Sequence, residues 1–485
     1  MSIANALNNA LTGLSAASRG TEIVASNLAN ALTPGYARRE LQLSPRILAG
    51  GGGGVAVSGV SRIMSEAVLS EFRLASAQLG GAQVTHEFRL RVEAAIGLPG
   101  DGKSLAALIA DTEAALISAA SRPDSEFRLG NVVDALGRLL QKTAAISQAI
   151  QQGRTDADRR IAADVDLLNA SLGEVSRLNR QIIVARANGG DAASLVDARQ
   201  AVIDRIATIV PVRELPRDGG RVALFTAGGA VLIDGKDPVR FGFQATGQMT
   251  PRIDGNSTHL GRLTIDGEAA SDLEMSLYSG GSLSARFAIR DEAGIAAQAA
   301  VDGFARDLYA RLSGPGIEPG RPPGTTGLIT DGGSAFDPSA ETGLAQRLRL
   351  AATVDPDQGG ALWRLRDGVH ATAPGEAGDA GILNALSDAM SQIAPFASPG
   401  APARSGNLSM LAAEMLSSAA SARLAAETRL QHDRSVSETL EASLLQDGVD
   451  SDREMELLLQ LERAYAANAK VVQAIDDMIG NLLRI

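Results

Sequence analysis

The sequence predicts a mainly α protein with an inserted β domain, an α+β multidomain chain whose long terminal helices form a coiled-coil core. Three observations carry this prediction: heptad-spaced apolar residues at both ends, helical periodicity over most of the first 206 residues, and a change to short strands near residue 211. With 485 residues, the chain is long enough for more than one hydrophobic core. We therefore expect terminal helices at the centre of an assembly and an outer β-rich insertion.

A first helix is predicted over residues 3 to 28, where two apolar rows repeat every seven residues. Only Arg19 and Glu22 are charged in this stretch. A surface helix would normally carry a charged outer face, so we expect protein to cover most of this one. The interface residues predicted here are Leu7, Leu14, Val24 and Leu28.

The first helix is predicted to stop in the sequence SNLANALTPGY, which ends at Tyr36. Pro34 confines the residue before it to extended geometry, and Gly35 permits a turn. The interface residues predicted in this turn are Asn30, Pro34, Gly35 and Tyr36. The glycine run at 50–54 lacks the Lys and Ser/Thr of a phosphate-binding loop, so we interpret it as a flexible turn before a short strand.

Residues 61 to 206 are predicted to form a helical body. In its last helix, Asp197 and Asp204 lie seven residues apart and close to arginines, so we expect structural ion pairs there and not a catalytic cluster. Gly80-Gly81 is expected to be a weak point of the first of these helices. Apolar residues at three- and four-residue spacing predict helices over 61–96, 105–120, 125–152, 156–188 and 195–206.

The pattern changes at Pro211 to short apolar runs separated by Asp-Gly pairs. The predicted strands are 221–225, 230–233, 240–243, 261–265 and 283–289. They are followed by a helix over 293–312, a loop over 313–327, strands over 348–352 and 361–366, and helices over 381–393 and 408–445.

Four domains are expected. They are an axial core of residues 1–60 and 446–485, a helical body of 61–210, 291–314 and 405–445, a β insert of 211–290 and an outer mixed segment of 315–404.

A last helix is predicted to begin at Ser451, because Ser451 and Glu454 have the spacing of a capping box. Three apolar rows follow, a wider stripe than one partner helix would cover, so more than one neighbour is expected. An ordinary helix docked on its own domain is the alternative. The interface residues predicted here are Leu458, Leu461, Tyr465, Val472, Ile475, Ile479 and Leu482.

The energy balance of this last helix predicts disorder in a free monomer. Burying roughly eight apolar side chains contributes about 1.5–3 kcal/mol each. Ordering some 30 residues costs about 1–2 kcal/mol per residue in backbone entropy. We therefore expect the terminal helices to become ordered only when they pack together and against neighbours.

Composition argues against several classes of function. A net charge of −11 disfavours a nucleic-acid surface, and the absence of cysteine excludes disulfides and thiolate sites. The four histidines lie in separate segments without metal-ligand spacing, and no nucleophile, base and acid converge. No catalytic residue, cofactor or metal is therefore predicted. Neither a cleaved signal peptide nor a membrane span is recognisable, so we expect a cytoplasmic protein or export without a cleaved signal.

Both ends of the chain resemble one known family. SNLANALTPGYARRE is similar to the N-terminal signature of the flagellar axial proteins, and LLLQLERAYAANAKVVQAIDDMIGNLL is similar to their C-terminal signature. Rod, hook and hook-associated proteins share these ends. The helical set up to residue 206, with LNRQI and LVDARQAVIDRI, resembles the body of the hook-associated members.

The resemblance implies a non-enzymatic structural protein of the bacterial flagellum that joins hook to filament. It implies self-association in a ring, contacts with the hook protein and with the next hook-associated protein or flagellin, and a cytoplasmic export chaperone on the C-terminal helix. It also implies type III export to the extracellular flagellum without a cleaved signal peptide, with no nucleic-acid partner and no membrane insertion.

Three alternatives remain open. A hook or rod subunit would share the ends of the chain but would not be expected to carry the body at 105–206. A secreted enzyme acting on peptidoglycan could use flagellar ends for export. An intracellular coiled-coil scaffold would be found only in the cytoplasm.

Overall fold

The computed structural model of the chain describes residues 3–33, 35–48, 51–255, 257–322, 324–398 and 404–482. Helices dominate it, which confirms the mainly α prediction. The helices are α1 (Ile3–Ala29), α2 (Glu66–Ile96), α3 (Leu105–Ala120), α4 (Glu126–Ala187), α5 (Ala193–Ile209), α6 (Asp272–Leu277), α7 (Gly281–Ala288), α8 (Gly294–Ser313), α9 (Leu344–Arg347), α10 (Trp363–Asp367), α11 (Gly381–Ser391), α12 (Leu408–Gln446) and α13 (Ser451–Leu482).

The strands form small antiparallel sheets. A long hairpin, β1–β2, follows α1; the insert between α5 and α6 holds two three-stranded sheets in the orders β3-β4-β5 and β6-β7-β8; and β9 pairs with β10 and β11 with β12. The bounds are β1 (Arg38–Leu48), β2 (Gly51–Ile63), β3 (Val212–Pro216), β4 (Val222–Thr226), β5 (Val231–Ile233), β6 (Phe241–Gly242), β7 (Thr264–Ile265), β8 (Glu268–Ala269), β9 (Ile329–Asp331), β10 (Leu348–Leu350), β11 (Ala394–Pro395) and β12 (Ser405–Gly406).

Helix α4 runs unbroken for 62 residues, so the predicted division into two helices was wrong. The expected break lies at Gly153, where a Cβ atom would come within 2.8 Å of the Phe88 ring. This glycine lets α2 pack closely against α4 without ending the helix. The next residue, Arg154, is fully buried and donates to the main-chain oxygens of Arg290 and Ile253.

Two predicted strands are helical. Residues 283–289 form α7 and the start of a π-helical turn (Ile289–Ala293), because Leu283 and Phe287 are buried four residues apart on one helix face. Residues 361–366 overlap α10 (Trp363–Asp367), in which Leu365 is buried.

The glycine run also differs from its prediction. Gly51 to Gly54 lie within β2, and Gly52 is paired with Ile47 of β1, a strand that the sequence did not predict. Residues 61 to 63 belong to the same ladder, so the helix expected from residue 61 begins at Glu66, capped by Ser65.

Two large hydrophobic cores lie along α4, and a small third cluster joins Ile182 near its end to Ala192 and Val196. The first half of this helix packs with α2, α3, α8, α11 and α12, whereas its second half packs with α5, α7 and the strands of the insert. Leu224 and Phe241 of the insert share this second core with Leu168 and Leu172 of α4. We propose that the domains have the bounds predicted from the sequence, with the β insert packed on the second half of α4.

Helix α2 passes the insert at the predicted weak point. A Cβ atom on Gly81 would lie 2.9 Å from the Gly281 oxygen, and one on Gly80 would lie 2.9 Å from the Thr208 oxygen. The Gly-Gly pair therefore permits close helix packing within a continuous helix. Among the described helices, none combines the length and apolar character needed to cross a membrane.

Candidate assembly site at the paired chain ends

The two ends of the chain lie side by side as α1 and α13. A Cβ atom on Gly13 would lie 2.7 Å from Asn468 Nδ2, and one on Gly20 would lie 2.9 Å from Leu461 Cδ2. These contacts are one heptad apart on each helix and run in opposite directions along the chain, so the helices are antiparallel. The two glycines allow the backbones to approach closely.

Asn468 is a polar residue within this seam. Its side chain is half-buried, and its Nδ2 atom donates to the main-chain oxygen of Ala464 at 3.0 Å. A polar side chain at a seam position favours one register, because sliding by a turn would place it against apolar groups.

One heptad further along both helices, a buried polar cluster joins the chain ends. Asn27 and Glu454 are fully buried, and Asn27 Nδ2 donates to Glu454 Oε2 at 3.0 Å and to the Arg39 oxygen at 2.9 Å. Arg38, which is 8% exposed, donates through Nε to Glu454 Oε1 at 2.7 Å. Both carboxylate oxygens therefore have partners, which a buried charge requires.

The predicted capping box is wrong. Asp450 caps α13, since its Oδ1 atom accepts from the backbone nitrogens of Asp452 at 3.0 Å and Arg453 at 3.3 Å. Ser451 is already the first residue of the helix. Glu454 cannot fold back to the helix start, because its carboxylate is held by the asparagine and arginine of the cluster.

The turn after α1 is organised around the same asparagine. Asn27 Oδ1 accepts from the Tyr36 hydroxyl at 2.8 Å and from the Arg39 backbone nitrogen at 3.0 Å. Asn30 donates through Nδ2 to a main-chain oxygen of the last turn of α1 at 2.8 Å. Gly35 has a φ of +79°, which agrees with the prediction that this glycine permits a turn.

A second joint connects the β1–β2 hairpin with α5. Asp197 accepts from Arg39 Nη2 at 2.9 Å and from Arg62 Nε at 2.9 Å. Asp204 accepts from Arg73 Nε of α2 at 2.7 Å. The predicted structural ion pairs are confirmed, but the partners come from distant elements and not from the arginines of the same helix.

The predicted interface residues lie at different depths. Asn30 and Tyr36 are half-buried in the turn, whereas Pro34 and the Leu482 side chain lie outside the described residues. Their role in assembly stays a prediction. Of the others, Val24 and Ile475 are buried, Leu7, Leu14, Leu458, Leu461 and Val472 are half-buried, and Leu28, Tyr465 and Ile479 are exposed.

Part of α13 presents large apolar side chains that α1 does not cover. They are between 44% and 49% exposed, although most exposed residues of a stable helix are polar. A second neighbour that covers this surface stays a prediction. The residues of this surface are Met455, Leu459, Tyr465, Val471 and Met478.

Sequence reasoning missed the roles of Asn27, Arg38 and Glu454. One signal was available, because Glu454 stands one heptad before Leu461, in the row that faces α1. A carboxylate in an apolar row indicates a buried partner. The identity of that partner could not be inferred, since Arg38 is 416 positions away.

Family models match three parts of the chain. Residues 91–313 match the helical domain of flagellar hook-associated protein FlgK, residues 7–36 match the flagella basal body rod protein family, and residues 441–485 match the C-terminal family of the basal body rod FlgEFG proteins. The two terminal matches cover much of α1 and all of α13. The match to the FlgK helical domain covers most of the helical body.

Curated relatives point the same way. Flagellar hook-associated protein 1 of Escherichia coli K12 is 25% identical over 236 residues, which is 47% of this chain and 43% of that protein. The protein of the same name from Salmonella typhimurium LT2 is also 25% identical, over 47% of this chain and 42% of its own length. The hook junction protein FlgK of Burkholderia pseudomallei has 18% identity and a TM-score of 0.45, covering 54% of this chain and 47% of its own.

The paired terminal helices carry sequences that match the axial proteins of the bacterial flagellum. The helical domain between them matches that of the hook-associated proteins. Over these parts, the chain is similar to flagellar hook-associated protein 1. The matched region spans less than half the length of the curated relatives.

Proposed function

We propose that this chain is a structural component of the flagellum that joins hook to filament and assembles through its terminal helices. The observation that carries the proposal is the continuous antiparallel seam between α1 and α13, which leaves apolar side chains of α13 exposed on the other faces. In an axial tube, helices of neighbouring copies would cover those side chains. The proposed role is mechanical, and no catalytic step is part of it.

The proposed partners follow from this arrangement. Copies of the chain associate in a ring, one side of the ring contacts the hook protein, and the other side contacts the next hook-associated protein or flagellin. Before export, a cytoplasmic chaperone covers the apolar faces of α13. The type III apparatus then exports the chain to the outside of the cell, where the terminal helices become ordered by packing.

Electron microscopy of cells that lack the gene, combined with an assay for flagellin in the medium, tests this function. Complete hooks without filaments, with flagellin shed as monomer, are expected. Missing hooks would move the assignment to the rod or hook. Normal filaments and normal swimming would overturn the proposal.

A further inference from the structure

A large cleft separates the chain-end unit from the helical body. One wall is formed by α1 and the β1–β2 hairpin, and the other by the end of α4, the start of α5 and the β3–β4 strands. Its volume is about 1190 Å³. Small-molecule pockets typically measure about 300–1,000 Å³, so the cleft is large enough for a segment of polypeptide.

Among the described residues, six arginines and four carboxylates line the cleft, so its lining is net basic although the whole chain carries a net charge of −11. Several of these side chains are exposed and have room to rearrange towards a ligand. Guanidinium groups favour carboxylate partners because their fork of N–H donors matches two carboxylate oxygens. Of the described residues, the arginines that line the cleft are Arg19, Arg62, Arg186, Arg199, Arg217 and Arg221, and the carboxylates are Glu22, Glu66, Asp191 and Glu214.

Arg199 is the buried member of this group and is only 4% exposed. Its Nη1 atom donates to Asn179 and to the Gly220 oxygen, but its Nε atom has no hydrogen-bond partner among the described residues. Burial lowers the pKa of Arg199 to about 10; the charge of Glu214 opposes this effect, and nearby arginines add to it. An anion in the cleft would give this Nε atom the hydrogen-bond partner that it lacks.

We propose that this cleft binds the acidic segment 447–456 of a second copy of the chain. That segment exposes Asp447, Asp450, Asp452 and Glu456, and it lies between the exposed side chains of Leu445 and Leu459. The segment of the same chain is held at the end of α1 by Glu454, so a neighbouring copy must supply the ligand. The inference rests on the self-association that forms part of the proposed function.

Peptide binding to the full-length chain tests the proposal in solution. A fluorescent peptide of residues 445–460 is titrated with the chain, and anisotropy is measured at low and at physiological salt. Saturable binding that weakens with salt is expected. The double variant Arg186→Glu, Arg221→Glu should bind about tenfold more weakly or worse, because each acidic group then meets a like charge.

Arg138→Glu is the matched control, since Arg138 is exposed on the same helix as Arg186 but does not line the cleft. It should bind the peptide as the native chain does. A peptide with Asp452→Lys and Glu456→Lys should bind the double variant better than the native peptide does. Circular dichroism melting establishes that both variants are folded.

Three results would overturn the proposal: absence of peptide binding at low salt, an equal loss of binding in the Arg138 variant, or equal binding of a peptide whose acidic residues are replaced by amides. Stabilisation of the chain by inorganic phosphate without peptide binding would also overturn it, and would indicate a site for a free anion. If cells lacking the gene still make filaments but the peptide binds as expected, only the proposed flagellar role fails.

Discussion

Asn27 and Glu454 are 427 positions apart in the chain, yet their side chains form a buried hydrogen bond of 3.0 Å. Glu454 also holds Arg38, so this one carboxylate joins the end of α1, the start of β1 and the first turn of α13. The geometry of the chain ends therefore depends on a single buried charge with two partners.

Replacing Glu454 by Ala should open this end of the helix pair. Arg38 would keep its charge without its buried partner, at a cost of about 3–5 kcal/mol. Hydrogen exchange in the full-length chain should show faster exchange in the first turns of α13 and the last turns of α1. Glu456→Ala is the control, because Glu456 is exposed. Unchanged protection in the Glu454 variant would contradict a structural role for the cluster.

Replacing both members of the ion pair should be milder than replacing one. In the double variant Arg38→Met, Glu454→Leu, no unpaired charge is left, and such replacements are often neutral or stabilising. Protection in α13 should return towards that of the native chain. Protection as low as in the single variant would mean that the hydrogen bond from Asn27 to the carboxylate is the dominant contribution.

Gly20→Val should destabilise the seam by about 1–3 kcal/mol, because the new side chain would overlap Leu461. The same change at Gly173, an exposed mid-helix position of α4 where an added Cβ meets nothing within 4 Å, should be neutral within about 0.5 kcal/mol. Urea unfolding of the two variants measures the difference. Equal effects would mean that the helices are not in close contact at Gly20.

The register of the chain ends can be tested by crosslinking, because the native chain has no cysteine. A chain with Gly13→Cys and Asn468→Cys should form a disulfide readily, since these positions face each other. Gly13→Cys with Leu461→Cys, one heptad out of register, should not. Crosslinking of the second pair alone, in assembled flagella, would show that the helices change register on assembly.

Asp197→Ala should loosen the β1–β2 hairpin from α5. The variant leaves Arg39 and Arg62 without their shared carboxylate, which should cost about 1–3 kcal/mol. Limited proteolysis should then cut the hairpin faster. Replacement of Asp166, an exposed residue of α4, serves as the control. Equal cleavage rates in both variants would mean that contacts of the hairpin with α1 suffice to hold it.

Much of the helical architecture was predictable, because the spacing of apolar residues along a helix is a local property. Helix α3 has the predicted bounds, Leu105 to Ala120, and α1 differs from its prediction by one residue at its end. The α4 helix was predicted as two, divided over residues 153–155, where Gly153 has a low intrinsic helix propensity. The reason for glycine at position 153 is the ring of Phe88, which only the folded structure reveals.

The polar cluster at the chain ends was not predictable for a related reason. Ser451 and Glu454 satisfy the local rule for a capping box, but a buried ion pair with Arg38 overrides it. The same applies to Asp197, whose local surroundings predicted an arginine partner but could not identify Arg39 and Arg62. Long-range polar contacts specify this site, and a single sequence does not identify the partners in them.

The exposed apolar side chains of α13 should matter for assembly and not for folding of the isolated chain. Leu459→Ser combined with Val471→Ser should change the free energy of unfolding by no more than about 1 kcal/mol, because both residues are about half exposed. In cells, the variant should be exported but should fail to support filaments, since neighbouring copies would lose the apolar surface that they cover. Immunoblots of the medium and electron microscopy of hooks measure the two effects. Ile475→Ser is the matched comparison, because Ile475 is only 3% exposed and should affect stability as well as assembly. Normal filaments with the Leu459 and Val471 variant would mean that these faces stay uncovered in the flagellum.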